Sequence, residues 1–241
     1  MLVEFPERPG GSPSAVGLSR LVRRAPRSPG CGLVVALIHA HNEQDLIAKA
    51  IRSLDEQSSL PDLTIVCADD CTDRTALTAQ AAGADVFVTV GNEHGRAGAL
   101  NQVLDLLLPL LTDADAVLIM DADSTLAQDF VAEARRRLKD GVGGVGGVFT
   151  GIEGGGFAGI LHETQYLRFA RDLRRLMEEP LVLTGKATLF SVESLGGVVK
   201  ARSAGLLPGG GTQVFNTDSV RPDIELTLAL VHLGYKIIAA P

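Results

Sequence analysis

The chain has 241 residues, 46% hydrophobic and 21% charged, enough for one large α/β domain with its own core. Its net charge of −7 excludes a general nucleic-acid binder, which needs a basic face, and 4% aromatic residues without Trp argue against stacking platforms for single strands. The three cysteines, Cys31, Cys67 and Cys71, lack the pairing of a disulfide scaffold and the CxxC spacing of a zinc site, so a reducing compartment is the default.

Residues 1–30 are rich in Pro, Gly, Ser and Arg, with Arg20, Arg23, Arg24 and Arg27 in the second half. This composition predicts a flexible basic tail, able to touch a membrane surface or a partner, ahead of a single domain over 31–241. No apolar core of a secretory signal is visible there, and no apolar run reaches the roughly 18 residues of a spanning helix. Val103 to Leu111 comes nearest and is interrupted by Asp105 and Pro109. The expected location is cytoplasmic.

From Leu33 to Ile38 a continuous apolar run predicts a strand buried on both faces. Leu46, Ile47, Ala50, Ile51 and Leu54 then recur at helical spacing. Further strands are expected at Leu63–Ala68, Val86–Val90 and Ala116–Met120, and further helices at Thr75–Ala82, Ala97–Leu111 and onward to about Lys139. This alternation predicts a mostly parallel, doubly wound sheet with helices on both faces. Beyond it, Val145–Thr150 is strand-like, Phe157–Met177 helical, Leu181–Phe190 a segment that could rejoin the sheet, and Asp223–Leu233 a helix closed by Gly234.

Ligands of open parallel sheets bind beyond the carboxyl ends of the strands. Three polar clusters fall there: His39-Ala40-His41-Asn42-Glu43, Asp69-Asp70-Cys71-Thr72-Asp73 and Asp121-Ala122-Asp123. One such cluster alone reads as helix caps or turn residues. Three on one sheet edge repel each other unless a cation or a hydrogen-bonding ligand is present. Asp121 and Asp123, as hard oxygen donors, suit Mn²⁺ or Mg²⁺, which take one or two carboxylates and complete their shells with phosphate oxygens.

These motifs resemble the family 2 inverting glycosyltransferases of GT-A fold, over about residues 33–241. His41-Asn42-Glu43 is similar to the family's Asn-Glu signature after the first strand, Asp69 to Asp73 to its acidic turn, and Gly95-Arg96-Ala97-Gly98-Ala99-Leu100-Asn101 to its Gly-Lys/Arg-Ala-x-Ala-Leu-Asn run. Asp121-Ala122-Asp123 stands at the DxD position. The resemblance implies a nucleotide-sugar donor, usually a UDP-sugar, a glycan or other hydroxyl acceptor, and transfer of a hexosyl or N-acetylhexosaminyl group. It places Ala40, His41 and Glu43 at the nucleoside, Asp69 or Asp70 at the base, Arg96 near the nucleotide, Asp121 at the ribose or sugar and Asp123 on the metal. The segment Thr184–Phe190, with Gly185, would lie beside donor and acceptor, and Asp223 would be the catalytic base with Glu225 the nearest substitute. Pro222-Asp223-Ile224-Glu225-Leu226-Thr227-Leu228 resembles a run of membrane-embedded polysaccharide synthases, with Pro222 where those have Glu. That kinship implies one of two arrangements, a soluble shortened form or a domain attached at the cytoplasmic face of a membrane, through the tail or through segments beyond Pro241.

Other patterns point elsewhere. Gly141, Gly143 and Gly146 spell GxGxxG, but they follow a predicted helix and run into a strand, the wrong context for a dinucleotide site. An NAD-dependent oxidoreductase is therefore a distant reading. His162-Glu163 reads as a surface pair, and Gln165–Phe169 precedes Asp223 where a synthase QxxRW motif would follow it. The rival to an enzyme is a binding module of the same fold, which holds a nucleotide sugar without transferring it.

Overall fold

The computed structural model describes residues 15–25, 32–147, 183, 186–209 and 211–240. Cys31, the strand reading beyond Gly147, the expected helix over 157–177 with His162 and Gln165, and Gly185 lie outside them.

The elements in chain order are helix α1 (Ala15–Arg24), β1 (Val34–Ala40), α2 (Ile47–Asp55), β2 (Leu63–Ala68), α3 (Thr75–Ala81), β3 (Asp85–Val88) and α4 (Gly95–Leu107). There follow β4 (Ala116–Asp121), α5 (Phe130–Arg137), β5 (Val142–Gly146), β6 (Ala187–Ser191), α6 (Val192–Ser203), α7 (Pro222–His232) and β7 (Lys236–Ala239). The strands form a seven-stranded sheet in the order β3-β2-β1-β4-β6-β5-β7. Pairing is parallel from β3 through β4 and between β5 and β7, while β6 runs antiparallel to both neighbours.

The alternation of side chains along β1 divides the core. Val35 and Leu37 join a cluster built with α1, α4, α6 and α7, whereas Val34, Ala36, Ile38 and Ala40 join one built with α2, α3 and α5. Helices thus cover both faces, as the continuous apolar run of β1 requires. Leu46, by contrast, is 42% exposed, because the chain is still turning there and α2 begins one residue later.

Three elements were not apparent from composition. Within the segment read as a tail, α1 buries Leu18, Leu21 and Val22 against the core. Their helical spacing is short and set among Arg, Ser and Pro, which hides it in a composition average. Its apolar face is consumed by the core, so only the face bearing Arg20, Arg23 and Arg24 remains for an external surface. The other two are α6, capped where Ser191 Oγ accepts from the Ser194 N–H at 3.1 Å, and the short strand β7.

Gly143 and Gly146 of the GxGxxG pattern lie within β5, and Gly141 makes the turn before it at φ 81°. A Cβ on Gly143 would stand 2.7 Å from Tyr235 Cβ, and one on Gly144 2.7 Å from Leu183 Cδ1. These glycines serve close packing in the sheet layer, not a phosphate. No helix among the described residues is long and apolar enough to cross a membrane.

Candidate active site

Because β1, β2 and β4 run parallel in register, their carboxyl ends bring the three polar clusters together. His39 pairs across the sheet with Cys67 on one side and Asp121 on the other. The first two clusters are then sewn to each other. His41 Nδ1 donates to the Asp69 carbonyl at 2.7 Å, which fixes its tautomer, since a carbonyl can only accept. Asn42, at φ 56°, accepts from Thr72 N–H at 2.8 Å, and Glu43 N–H donates to Thr75 Oγ1 at 2.8 Å. Asp73 accepts from Gln44 N–H at 3.1 Å and from Thr75 N–H at 2.9 Å, so its part is to hold the turn.

Asp69 and Asp70 have different surroundings. Asp69 is buried, and its Oδ1 accepts from Asn92 Nδ2 at 2.7 Å and Thr89 Oγ1 at 3.0 Å, while Oδ2 takes His39 Nε2 at 3.3 Å. Burial, then the neighbouring Arg96, lowers the His39 pKa against the opposing pull of Asp69, which favours a neutral ring donating from Nε2. Asp70 is exposed, at φ 45°. Ala40 is buried, and its carbonyl accepts from Asp69 N–H at 2.8 Å.

The start of α4 places Arg96. Gly95 adopts φ 53°, and Gly98 leaves room for the preceding turn: a Cβ there would meet Asn92 Oδ1 at 2.2 Å. Asn92, unnoticed in the sequence, thereby joins Asp69 to the Gly95 carbonyl, to which it donates at 2.7 Å. From this seat Arg96 donates through Nε to Asp121 Oδ1 at 2.9 Å and through Nη1 to Asp223 Oδ1 at 2.7 Å. Its guanidinium carbon lies 5.9 Å from the centroid of the Phe215 ring. Burial opposes the Arg96 charge, but Asp223 and Asp121 outweigh it and hold the pKa above its ordinary value. Burial also raises the Asp223 pKa, helped by Asp121 and resisted by Arg96.

Beside this triad lies an open cleft of about 210 Å³ lined by His39, His41, Glu43, Arg96, Asp121, Ala122 and Asp123. Asp123 Oδ2 accepts from Lys186 Nζ at 2.8 Å, and burial of its carboxyl is outweighed by Lys186, which lowers the pKa. Among the described residues no three His, Cys, Asp or Glu side chains converge on one point. The protein can therefore offer the carboxylates of Asp121 and Asp123 to a cation, and this donor set fits Mn²⁺ or Mg²⁺ with a diphosphate completing the shell. It would not serve a cation that needs a full protein cage.

The predicted residues are thus divided by the structure. His41, Glu43, Arg96, Asp121 and Asp123 line the cleft, with Asp223 joined to them through Arg96. Ala40, Asp69 and Asp70 are not among the lining residues, and the two Asp69 oxygens are occupied from within. Glu225, the substitute base, is committed elsewhere: its Oε2 accepts from Nη2 of the buried Arg202 at 2.6 Å.

Sheet order and strand-end carboxylates around a cleft define the class: a doubly wound α/β domain of GT-A type. The sequence pattern described as glycosyl transferase family 2 matches residues 36–198, and the chain belongs to that family. Among solved structures it is similar to the mannosyltransferase PcManGT from Pyrobaculum calidifontis in complex with GDP-mannose and Mn²⁺, at 21% identity and a TM-score of 0.62. That match covers 94% of this chain and 61% of the other, so this chain spans less than two thirds of that protein. It is also similar to glucosyl-3-phosphoglycerate synthase from Mycobacterium tuberculosis with Mn²⁺, UDP and phosphoglyceric acid, at 22% identity, TM-score 0.55, 97% of this chain and 73% of that one. The same synthase with Mn²⁺, UDP-glucose and phosphoglyceric acid matches at 21% identity and 0.56, over 97% and 75%. At these identities the likeness speaks for the fold. No curated protein matches the chain in sequence.

Proposed function

We propose that this domain is a metal-dependent inverting glycosyltransferase that moves a hexosyl or N-acetylhexosaminyl group from a UDP-sugar to an acceptor hydroxyl. The observation that carries the reading is Arg96, which holds Asp121 at 2.9 Å and Asp223 at 2.7 Å and so puts a potential base at the rim of the donor cleft. His41 and Glu43 would border the nucleoside. Asp70, the member of its pair with an uncommitted carboxylate edge, would accept from N3–H of uracil, with Ala40 and Gly185 as main-chain neighbours of the donor. Asp121 would reach the ribose or sugar and Asp123 the metal, after exchanging Lys186 for it.

Bound Mn²⁺ or Mg²⁺ would neutralise the diphosphate and make it a better leaving group. Asp223 would take the proton of the acceptor hydroxyl as that oxygen forms its bond to the anomeric carbon, on the face opposite the departing UDP. One displacement inverts the anomeric centre. The burial that raises the Asp223 pKa makes it a stronger base, and Arg96 keeps it ionised until the acceptor arrives. Residues 31–241 would form the catalytic domain, with α1 docked on it. The free thiols Cys67 and Cys71 suit the reducing cytoplasm, where nucleotide sugars are available.

The alternative is a nucleotide-sugar-binding module, favoured by Pro222 in place of the Glu of the related synthases and by the engagement of Asp223 with Arg96. A panel of UDP- and GDP-sugars, each with Mn²⁺ and with EDTA, separates the two. The enzyme reading expects Mn²⁺-dependent hydrolysis or transfer of at least one donor. It also expects UDP to bind about tenfold more tightly than ADP, since an unpaired acceptor costs about 1–3 kcal/mol. Binding without turnover across the panel would favour the module, and a GDP preference would change the donor but not the chemistry.

A further inference from the structure

Between α6 and α7 the described residues of the connection, 204–209 and 211–221, carry no regular secondary structure, and the connection is longer than the roughly 12–15 residues that such segments seldom exceed in a compact domain. It leads directly into α7, whose second residue is Asp223, so whatever holds this connection also places that carboxylate. One residue of α4 grips its middle. Asn101, 1% exposed, donates through Nδ2 to the Phe215 carbonyl at 2.8 Å and accepts through Oδ1 from the Phe215 N–H at 2.9 Å. Both polar groups of the amide and both main-chain groups of Phe215 are satisfied by this one exchange.

The consequence reaches Arg96 from two directions. Asn101 and Arg96 belong to the same helix, and the residue that Asn101 clasps carries the ring over which the Arg96 guanidinium lies. The far end of that guanidinium is bonded to Asp223, which the connection delivers. Ile119, Leu183, Phe190, Phe215 and Leu226 close the space behind the pair with apolar surface, so the guanidinium meets water only on its cleft side.

We propose that Asn101 is a positioning residue for Arg96 and Asp223: its clasp on the Phe215 main chain holds the connection 204–221 in the one arrangement that sets the arginine between Asp121 and Asp223. This rests on the transferase reading only for its effect on turnover. The clasp itself is a statement about the order of the connection.

The test combines amide hydrogen exchange with kinetics on Asn101→Ala in the full chain. Exchange should accelerate over residues 213–226 while β1 and β4 keep wild-type protection, because the amide holds the connection and not the sheet. With the donor that the wild type uses, kcat should fall roughly tenfold to a hundredfold, as expected when a reacting group is displaced by about 1 Å, while the donor KM is kept. Asn101→Gln, which carries the same amide on a longer stem, should recover part of the protection. If Asn101→Ala does not fold, Asn101→Asp, which keeps an acceptor for the Phe215 N–H and sets a second acceptor against the Phe215 carbonyl in place of the donor, is read in the same way. Unchanged exchange over 213–226, or an equal acceleration throughout β1 and β4, would overturn the proposal. So would a mobile 213–226 with undiminished kcat. A wild type that turns over no donor would contradict the transferase reading, and the exchange result would still decide the clasp.

Discussion

Asp69 and Asp123 both follow a parallel strand, yet one faces inward and the other faces the cleft. Asp69 collects three donors, from Asn92, Thr89 and His39, and is 5% exposed. Asp69→Ala strands those donors, so it should lower the unfolding free energy by about 2–3 kcal/mol, read from urea denaturation. Asp123 has a single flexible cation, Lys186, and contributes little packing. Asp123→Ala should leave the melting temperature close to that of the wild type. It should also abolish the part of UDP affinity that depends on Mn²⁺, measured by calorimetry with and without the ion. Retained Mn²⁺-dependent UDP binding in that variant would remove Asp123 from the metal site.

At the scale of elements, α6 and α7 are joined by a buried ion pair. Arg202 is 1% exposed and bonds Glu225, the Val214 carbonyl at 3.2 Å and the Pro208 carbonyl, while its Nε has no partner among the described residues. An arginine so placed fixes geometry at a desolvation cost. Glu225→Gln, which leaves that cation short of its counter-charge, should cost about 3 kcal/mol, whereas Arg202→Met combined with Glu225→Leu should cost less than either single change. Strict additivity in chemical denaturation would contradict this coupling. Helix α5 carries an exposed counterpart. Glu133 accepts from Arg136 and Arg137, whose hydrogen bonds lower its pKa to about 2. A depressed carboxylate stabilises the fold above its ordinary pKa of 4.5, and the contribution disappears as pH falls through about 2. Melting curves of wild type and Glu133→Gln should therefore differ at neutral pH and converge in acid, with added salt narrowing the gap at every pH.

Across the whole molecule, the regular half of the fold was readable because it rests on local signals. The apolar run of β1 and the helical spacing in α2 arise from burial alone, and Leu63–Ala68 matches β2 residue for residue. What escaped depends on partners far away in the chain. The α1 stripe shows only once α4 is there to receive it, and β6 inserts antiparallel between β4 and β5, a pairing that no local pattern specifies. The site divides in the same way. Motif spacing pointed to His41, Glu43, Arg96, Asp121 and Asp123, which line one cleft. It could not tell that Asp69 would be consumed by Asn92, or that Glu225 would pair with Arg202 rather than stand beside Asp223. Those assignments are made by contacts across long stretches of chain, as is the bond from Arg96 to Asp223, which spans 127 positions.

That bond joins donor cleft and base candidate, and Asp223→Asn tests it most directly because it keeps the side-chain shape and removes the basicity. Wild type and variant should be compared for Mn²⁺-dependent UDP binding and for sugar transfer from the donor that the wild type uses. The account predicts similar UDP affinity in the two and a loss of transfer in the variant by roughly two to four orders of magnitude, the usual contribution of a positioned base. Transfer by Asp223→Asn at the wild-type rate would contradict it.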